Sequence, residues 1–243
     1  MGIDSLVERL VSENIPHWQY RDTLLICADC LRVLPWIEAG SVDSVVTDPP
    51  YGICLENHGG FCGDFGVIGD QDTSVADAMI RWADKRGCSI VAFCSPDNPY
   101  QGRWNSRLVW HKAGRGVGGD WERCWLRDWE MVLVRATRPI TKKESSVLAF
   151  APASCEHHKC EKPVALMRYL IEQIGCETIL DPFTGSGTTG VACVRTGRKF
   201  IGIEIHEPYY LIAKRRIEEA YADSALFDNL EPPPQQTELE FTP

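Results

Sequence analysis

The sequence TILDPFTGSGTTGVACVRTGRKFIGIE, residues 178–204, decides the fold. An apolar strand leads through a glycine turn into a helix predicted over 188–196, and a second strand stops at Glu204. Gly185 and Gly187 would let a ligand approach the backbone where the helix begins. An acid about 20 residues beyond the turn can hold ribose hydroxyls. The stretch therefore predicts an α/β fold that binds an adenosine-containing ligand.

Asp181, at the end of the first strand, narrows the identity of that ligand. A carboxylate at this position would repel a pyrophosphate group, which disfavours a dinucleotide such as NAD. S-Adenosylmethionine instead carries an ammonium and a sulfonium, both of them cationic. The residues themselves thus favour S-adenosylmethionine as the cofactor.

A second strand exit lies much earlier in the chain, at Thr47-Asp48-Pro49-Pro50-Tyr51. The two prolines lack N–H groups and hold φ near about −65°, so the valine-rich strand before them ends in a stiff turn. A carboxylate precedes the prolines and an aromatic ring follows them, and together they could grip a planar group that carries an NH2. The alternative is an ordinary exit from a strand into a loop.

The remaining pattern alternates strands and helices, as in α/β folds. Apolar residues recur at helical spacing between Pro163 and Gly175, which predicts a helix with one buried face. The glycine-rich residues 52–70 predict a loop that could close over the proline turn. The other predicted elements are a helix before Pro16, a strand at 22–28, a short helix broken by Pro35, a helix at 73–86, a strand at 89–95, a strand at 147–150 and a helix at 207–221. Trp129, Met131 and Leu133 could also alternate as core residues of a strand, as an alternative to contact with a ligand.

Positive charge is concentrated in one stretch. The net charge of −9 argues against a nucleic-acid partner, but residues 101–143 contain ten Lys or Arg and four Asp or Glu. Tryptophans are interspersed there, and alternating guanidinium groups and aromatic rings suit phosphate contact and base stacking. The alternative is that about half of these tryptophans are core residues. The candidate DNA contacts are Arg103, Arg107, Lys112, Arg115, Arg123 and Arg127.

Two motifs together resemble those of the S-adenosylmethionine-dependent DNA amino-methyltransferases. They are Asp48-Pro49-Pro50-Tyr51 and DPFTGSG at residues 181–187. Their order, with the tetrapeptide first and the glycine motif late, resembles the permuted β group of that family. Two further segments are similar to family motifs: His158-x-x-x-Lys162-Pro163 to H-x-x-x-K-P, and Ala28-Asp29-Cys30 to G-D-C, with alanine in place of glycine.

The resemblance implies a Rossmann-like fold with a mostly parallel sheet, helices on both faces and a permuted motif order. It also implies that the target base is flipped out of the duplex. Asp48 and the Pro49 carbonyl would accept hydrogen bonds from its exocyclic amine, Pro50 would stiffen the turn, and Tyr51 would stack on the base. The spelling Asp-Pro-Pro-Tyr resembles the adenine N6 subgroup more than the cytosine N4 subgroup, and the reaction needs no metal.

The resemblance further implies a set of cofactor contacts. Asp29 and Cys30 would touch the adenine of S-adenosylmethionine, and Glu204 its ribose. The glycine motif and the segment around Lys162 would form the rest of the cofactor site. The implied residues there are His158, Lys162, Pro163, Asp181, Pro182, Phe183, Thr184, Gly185, Gly187 and Thr188.

Length predicts one domain with a small insertion, and the acidic composition of 223–243 predicts a disordered tail. The resemblance implies that 1–222 is a single methyltransferase catalytic domain, in which 100–156 contains a small basic target-recognition insertion. No apolar run is long enough to span a membrane, and the first residues lack the features of a signal peptide. The 11 cysteines then fit reduced core residues of a cytoplasmic protein of bacterial or phage origin. Double-stranded DNA is the expected partner; a homodimer, and a sliding clamp bound through Gln236–Phe241, are further candidates.

Three other functions stay open at this point. Cys27 and Cys30 could bind zinc together with Cys155, His157, His158 and Cys160, which would indicate a nucleic-acid-binding module. An amino-methyltransferase of this kind could act on RNA or on a protein amide instead of DNA. The third alternative is a catalytically inactive relative that only binds DNA, although the intact tetrapeptide argues against it.

Overall fold

A single sheet gathers the strands that lead to the predicted site. The computed structural model describes residues 3–52, 71–112, 128–142, 144–153 and 161–228, and of 225–228 the backbone alone. Within these ranges the strands form one nine-stranded sheet.

The strands are short and mostly apolar. They are β1 His17–Tyr20, β2 Thr23–Cys27, β3 Ser44–Thr47, β4 Ser89–Cys94, β5 Ser106–His111, β6 Trp129–Arg135, β7 Val147–Ala149, β8 Thr178–Asp181 and β9 Lys199–Glu204. The helices are α1 Ile3–Ser12, α2 Cys30–Val33, α3 Ser74–Lys85, α4 Val164–Ile174, α5 Thr188–Arg195 and α6 Glu207–Asp228, and a 3-10 turn at Leu34–Trp36 follows α2.

The described strands lie in the order β1-β2-β9-β8-β3-β4-β6-β5-β7. The five from β2 to β4 run parallel, and their apolar runs suit strands that are buried on both faces. The pairs β1–β2, β4–β6 and β6–β5 are antiparallel, and β5–β7 is parallel. This order confirms the mostly parallel sheet, and it places β8 and β9 between two strands from the start of the chain.

Helices cover both faces of the sheet, as predicted. On one face α1, α2 and α3 pack against strand residues such as Leu24 and Ile26. On the opposite face α4, α5 and α6 pack against the alternate strand residues, among them Leu25 and Val46. The predicted stripe of α4 is confirmed, because all five of its residues are buried: Leu166, Met167, Leu170, Ile171 and Ile174.

Two predictions and one alternative were wrong near the margins of the sheet. The strands β1 and β5 were missed, because their short sequences mix polar and apolar residues and their pairing is set by β2 and β6. The alternative in which Trp129 is a core residue does not hold, because Trp129 is the first residue of β6, pairs with His111 where β5 ends, and is 38% exposed. The last helix continues to Asp228 rather than ending before 223, since alanines favour helix and the Ser224 hydroxyl donates to the Ala220 carbonyl at 2.9 Å.

Several predictions fall outside the described residues. They concern the glycine-rich loop beyond Gly52, the middle of the basic stretch at 113–127, His158 and the tail from 229 onward. The domain boundaries likewise stay predictions. Within the described ranges, no helix combines the length and the apolar character that crossing a membrane requires.

Candidate active site

Four acids that the sequence analysis selected, Asp29, Asp48, Asp181 and Glu204, follow or end parallel strands. Strand register sets Cys27 beside Glu204, and β8 lies between β9 and β3. The carboxyl ends of parallel neighbours meet at one edge of a sheet. Residues from the two ends of the chain therefore converge at this edge, as the motif pattern predicted.

The proline turn after β3 is held by residues outside it. Because prolines have no N–H group, the turn cannot close through its own backbone. The Tyr100 hydroxyl lies 2.9 Å from the Pro50 oxygen and 3.2 Å from the Pro49 oxygen, and Asn98 Nδ2 donates to the Tyr51 oxygen at 2.9 Å. The predicted second amine acceptor, the Pro49 carbonyl, thus shares its oxygen with a tyrosine. Sequence reasoning missed Tyr100 and Asn98; their position directly after the neighbouring strand β4 was the available signal.

Both oxygens of the Asp48 carboxylate have partners. Lys162 Nζ lies 2.5 Å from Oδ2, and the Tyr51 hydroxyl donates to Oδ1 at 2.6 Å. Lys162 is only 7% exposed, and its ammonium lies 5.6 Å and 5.0 Å from the ring centroids of Tyr51 and Phe93. Lys162, predicted to lie at the cofactor, is therefore bound to the candidate catalytic carboxylate.

A second carboxylate, Glu130 of β6, enters the same network. Its Oε2 lies 3.2 Å from Lys162 Nζ and 3.1 Å from the Tyr51 hydroxyl, and its Oε1 lies 2.6 Å from Lys112 Nζ. Burial alone would raise the pKa of Glu130, but the charges and hydrogen bonds of both lysines outweigh burial and lower that pKa to about 2. Burial and the charges of Asp48 and Glu130 raise the pKa of Tyr51 well above its ordinary value, so its hydroxyl stays protonated. Sequence reasoning missed Glu130, although an acid inside an apolar strand signals a partner.

Asp181, only 2% exposed, ties the catalytic strand to the glycine motif. Its Oδ1 accepts from the Thr47 hydroxyl at 2.6 Å and from the Phe183 N–H at 3.1 Å, and its Oδ2 accepts from the Thr189 hydroxyl at 2.6 Å. Burial raises the pKa of Asp181 to about 6, although the three donors favour the carboxylate. This positioning role was not predicted, and the contact of Asp181 with a cofactor stays a prediction. In the same motif Pro182 is buried, and the Thr184 hydroxyl donates to the Asp181 carbonyl at 2.9 Å.

The absence of a side chain at Gly185 leaves open space, whereas at Gly187 it allows contact with α6. Gly185 has φ of 53°, and among the described residues the nearest atom to a Cβ built on it is 4.0 Å away. Gly187 has φ of 86°, and a Cβ there would lie 2.8 Å from Ala213 of α6. The predicted approach of a ligand to the backbone therefore fits Gly185, whereas Gly187 is required by the packing of α5 on α6.

The glycine motif is fastened from α6 by Arg216. Its Nη1 donates to the Ser186 carbonyl at 2.7 Å and to the Ser186 hydroxyl at 2.9 Å, and its Nη2 pairs with Glu161. The Thr188 hydroxyl lies 3.4 Å from Glu161 Oε1. Glu161 directly precedes Lys162, and Pro163 then starts α4, so one short segment supports both the glycine motif and Asp48. Sequence reasoning did not identify Arg216, because nothing in α6 distinguishes it from its neighbours.

The candidate ribose site is centred on Glu204, which is 7% exposed. Its Oε2 accepts from the Gly185 N–H at 2.7 Å and its Oε1 from the His206 N–H at 2.8 Å, so each oxygen keeps a lone pair for a hydroxyl. Burial raises the pKa of Glu204. Asp29 is exposed, and it caps α2 next to Glu204, whose carbonyl accepts from the Ala28 N–H at 2.9 Å. Cys30, by contrast, is buried, and burial raises its pKa to about 12.

Among the described residues, part of the positive charge of the predicted basic stretch is paired within the fold. Arg103 and Arg107 are exposed. Lys112, predicted to contact DNA, is bound to Glu130 instead. Two more cations of the stretch form ion pairs within the fold, Arg135 with Asp84 and Arg138 with Asp43. Arg115, Arg123 and Arg127 lie outside the described residues.

The zinc alternative gains no geometric support from the part of the chain that is described. In that part no group of three or more His, Cys, Asp or Glu side chains could hold a metal ion, and Cys27 and Cys30 are free thiols. The other candidate zinc ligands, at 155–160, lie outside it.

Sequence comparison gives close relatives over most of the chain. A family model described as DNA methylase, covering N6 and N4 methyltransferases, matches residues 97–215. The DNA adenine methyltransferase YhdJ of Escherichia coli strain K12 is 43% identical over 249 residues, which cover 83% of this chain and 84% of YhdJ. The type II methyltransferase M.HpaI of Haemophilus parainfluenzae is 24% identical over 243 residues, which cover 82% of this chain and 76% of M.HpaI.

Solved structures support the fold. The crystal structure of the M1.HpyAVI-SAM complex matches with a TM-score of 0.56 at 23% identity, over 80% of this chain and 99% of that one. The cytosine-N4-specific PvuII DNA methyltransferase matches with a TM-score of 0.61 at 15% identity, over 86% of this chain and 94% of that one. The sheet and its two helical layers are therefore those of a Rossmann-like methyltransferase.

Proposed function

Because this chain belongs to the DNA methylase family of N6 and N4 amino-methyltransferases, we propose that it methylates adenine N6 in double-stranded DNA. One observation supports this most: the Asp48 carboxylate lies at the carboxyl edge of the sheet, beside the strand that carries the glycine motif, with Tyr51 against it. The site thus holds an amine acceptor and an aromatic ring next to a candidate adenosine site.

Asp48 acts as the acceptor that orients the amine. An exocyclic amine is a poor nucleophile, since its lone pair is delocalised into the ring of the base. A hydrogen bond from the amine to Asp48 Oδ1 favours a tetrahedral nitrogen and frees that lone pair. The Pro49 carbonyl can accept the second N–H, because its contact with the Tyr100 hydroxyl, at 3.2 Å, is longer than that of Pro50, at 2.9 Å. Positioning of this kind accounts for much of the rate in transfers to an already strong electrophile.

Tyr51 has two functions in this proposal. Its ring stacks on the flipped base, which costs unpairing energy to bring into the site. Its hydroxyl occupies Asp48 Oδ1 in this structure, at 2.6 Å. The incoming amine takes over that acceptor, so the pocket keeps Asp48 hydrogen-bonded both before and after the base arrives.

The residues around Gly185 and Glu204 fit S-adenosylmethionine. The open side of Gly185 admits a ligand to the backbone, Glu204 keeps lone pairs for ribose hydroxyls, and Asp29 is exposed beside it. When bound, S-adenosylmethionine supplies the methyl group from its sulfonium. Arg216 and Glu161 fasten the glycine motif, and Asp181 holds that motif to the strand of Asp48.

Adenine is favoured over cytosine by two findings. The tetrapeptide begins with aspartate, a spelling that resembles the adenine subgroup. The relative YhdJ, with 43% identity over most of both chains, is named a DNA adenine methyltransferase. Both amines present the same chemistry to Asp48, so the identity of the product decides between them.

The test measures methyl transfer from tritium-labelled S-adenosylmethionine to unmethylated double-stranded DNA, RNA and a mixed protein substrate. Nucleosides from digested DNA are then separated and identified by mass spectrometry. We expect N6-methyladenine in DNA, no product with Asp48→Ala, and S-adenosylmethionine binding by that variant within about threefold of wild type. N4-methylcytosine would correct the base, labelled RNA or protein would correct the substrate, and wild-type activity in Asp48→Ala would overturn the assigned mechanism.

A further inference from the structure

Glu130 belongs to the site by position as well as by contact. It is the second residue of β6, next to Met131, which pairs with Cys94 at the end of β4. Its carboxylate thus reaches the same edge as Asp48, from the strand beyond β4. The resemblance to known methyltransferases assigned no function to this position, and the sequence showed only a lone acid in an apolar strand.

Four charges alternate along a short path through the site. Lys112, Glu130, Lys162 and Asp48 are joined by contacts of 2.6, 3.2 and 2.5 Å. Lys162 is buried and the other three side chains are partly buried. Charges withdrawn from water are stabilised by pairing, so removing one partner leaves the next with an uncompensated cost of burial. Without Glu130, Lys162 would keep Asp48 as its paired carboxylate in this path and would compete with any amine for it.

The hydroxyl of Tyr51 has one proton and two carboxylates within reach. It lies 2.6 Å from Asp48 Oδ1 and 3.1 Å from Glu130 Oε2. In this structure the shorter bond is to Asp48, the group that the target amine must occupy. A small rotation of the hydroxyl proton would transfer the bond to Glu130, and the ring would not have to move.

We propose that Glu130 is a positioning residue for methyl transfer, which holds Lys162 and receives the Tyr51 hydroxyl when the target amine binds Asp48. The inference rests on the proposed function. Glu130 does not touch the reacting atoms; it keeps the Asp48 carboxylate oriented and lets the amine displace Tyr51 without leaving a buried hydroxyl unbonded. The low pKa of Glu130, about 2, agrees with an acceptor that stays ionised throughout the reaction.

Three substitutions separate the charge of Glu130 from its capacity to accept a hydrogen bond. Glu130→Met removes both, Glu130→Gln keeps an acceptor without the charge, and Glu130→Asp keeps both on a shorter side chain. With saturating DNA and S-adenosylmethionine, we expect kcat to fall about 100-fold for Met, about tenfold for Gln and less for Asp. The KM for S-adenosylmethionine should stay within about threefold of wild type, because Glu130 does not contact the glycine motif.

The same series in a Tyr51→Phe background tests the hydroxyl exchange. There the advantage of Gln over Met should shrink, because no hydroxyl remains to be accepted and only the hydrogen bonds from Lys112 and Lys162 are left to the glutamine oxygen. Asp84→Asn is the matched control, since Asp84 pairs with Arg135 at the other end of β6, and its kcat should be unchanged.

The outcomes are distinguishable. Wild-type kcat in Glu130→Met would overturn the positioning function and leave the proposed methyltransferase intact. An advantage of Gln over Met that is undiminished in Tyr51→Phe would overturn the hydroxyl exchange. Wild-type protein that transfers no methyl group to DNA would overturn both proposals. Circular dichroism and urea unfolding of each variant show whether a fall in kcat reflects unfolding. If Glu130→Met unfolds, Glu130→Asp is the variant that tests the positioning function, because it keeps the negative charge that forms the ion pairs.

Discussion

The Thr47 hydroxyl donates to the buried carboxylate of Asp181 across 134 residues of sequence, at 2.6 Å. This bond joins the residue before the candidate catalytic aspartate to the first residue of the glycine motif. The distance between amine acceptor and cofactor site is therefore set by the parallel pairing of β3 with β8 and by this side-chain contact at their ends.

Thr47→Val should weaken both stability and catalysis. It removes a hydrogen bond to a charged group, which costs about 2 kcal/mol, and it releases the strand end that carries Asp48. We expect a lower urea midpoint and a several-fold lower rate of methyl transfer per folded molecule. Thr23→Val is the matched control, because Thr23 is equally buried and bonds the Tyr221 hydroxyl at 3.0 Å, away from the site. Equal loss of activity in the two variants would contradict the coupling.

Asp181 should make stability fall as pH rises from about 4 to about 6. Its pKa is about 6 in the folded protein, above the ordinary value of 3.8 for an aspartate, so in this range the folded state binds more protons than the unfolded state. The effect is at most about 3 kcal/mol and is complete above pH 6. Asp181→Asn, which cannot ionise, should flatten the dependence of the urea midpoint in this range, apart from the part due to Glu204, whose pKa burial also raises.

Glu130 should make folding stability change with pH in the opposite direction and in a lower pH range, so it serves as the internal control. Its pKa of about 2 lies below the ordinary value of 4.5 for a glutamate. Glu130 therefore stabilises the folded state above about pH 4.5, and this stabilisation is lost as pH falls toward 2. Glu130→Gln should therefore change the dependence of the urea midpoint on pH below pH 4.5. It should leave unchanged the dependence in the range that is assigned to Asp181. If the fall of the urea midpoint between pH 4 and pH 6 is still present in Asp181→Asn but absent in Glu130→Gln, these assignments are contradicted.

Gly185→Ala and Gly187→Ala should differ in what they damage. Both place alanine at positive φ, which costs about 1–2 kcal/mol. At Gly185 the new methyl enters open space at the candidate cofactor site, so we expect S-adenosylmethionine affinity, measured by calorimetry, to fall more than tenfold. At Gly187 it meets Ala213, so stability should fall by about another 1–3 kcal/mol. Adding Ala213→Gly should recover only the part of the Gly187→Ala loss that comes from the Ala213 Cβ, because the Ala213 Cα also lies 2.8 Å from the new methyl. It should leave the loss in Gly185→Ala unchanged.

Arg216→Met should loosen the glycine motif. It leaves Glu161 buried without its cation, which costs about 3 kcal/mol, and it frees Ser186. We expect weaker S-adenosylmethionine binding with DNA affinity unchanged. The neighbouring Arg215→Met is the control, because Arg215 is exposed and its pair with Glu219 contributes about 0.5 kcal/mol or less. Equal effects of the two changes on cofactor affinity would refute the function assigned to Arg216.

The fold was largely predictable, because the sequence patterns that indicate it are formed by residues close together in the chain. The stripe of α4 and the strand–turn–helix unit at 178–204 are set by residues a few positions apart. Asp48, Asp181 and Glu204 could be brought together because each ends or follows a predicted strand, and such ends meet at one edge.

The supports of the site were not predictable from pattern. Tyr100 reaches Pro50 from the next strand, Glu130 reaches Tyr51 from 79 residues away, and Arg216 reaches Ser186 from the last helix. These contacts depend on strand register and helix position, and the sequence carries neither directly. The same limit explains Lys112: its charge suggested DNA, and only the pairing of β5 with β6 shows that it lies beside Glu130.

The position of β8 and β9 in the middle of the sheet has a consequence for folding. During synthesis β2 and β3 emerge early, yet their respective sheet neighbours β9 and β8 are made more than 120 residues later. Until then the nascent chain carries two apolar strand edges that nothing covers, the condition under which intermediates aggregate. The sheet closes only when β8 and β9 are inserted between β2 and β3, so chaperones that shield strand edges should raise the yield of folded protein.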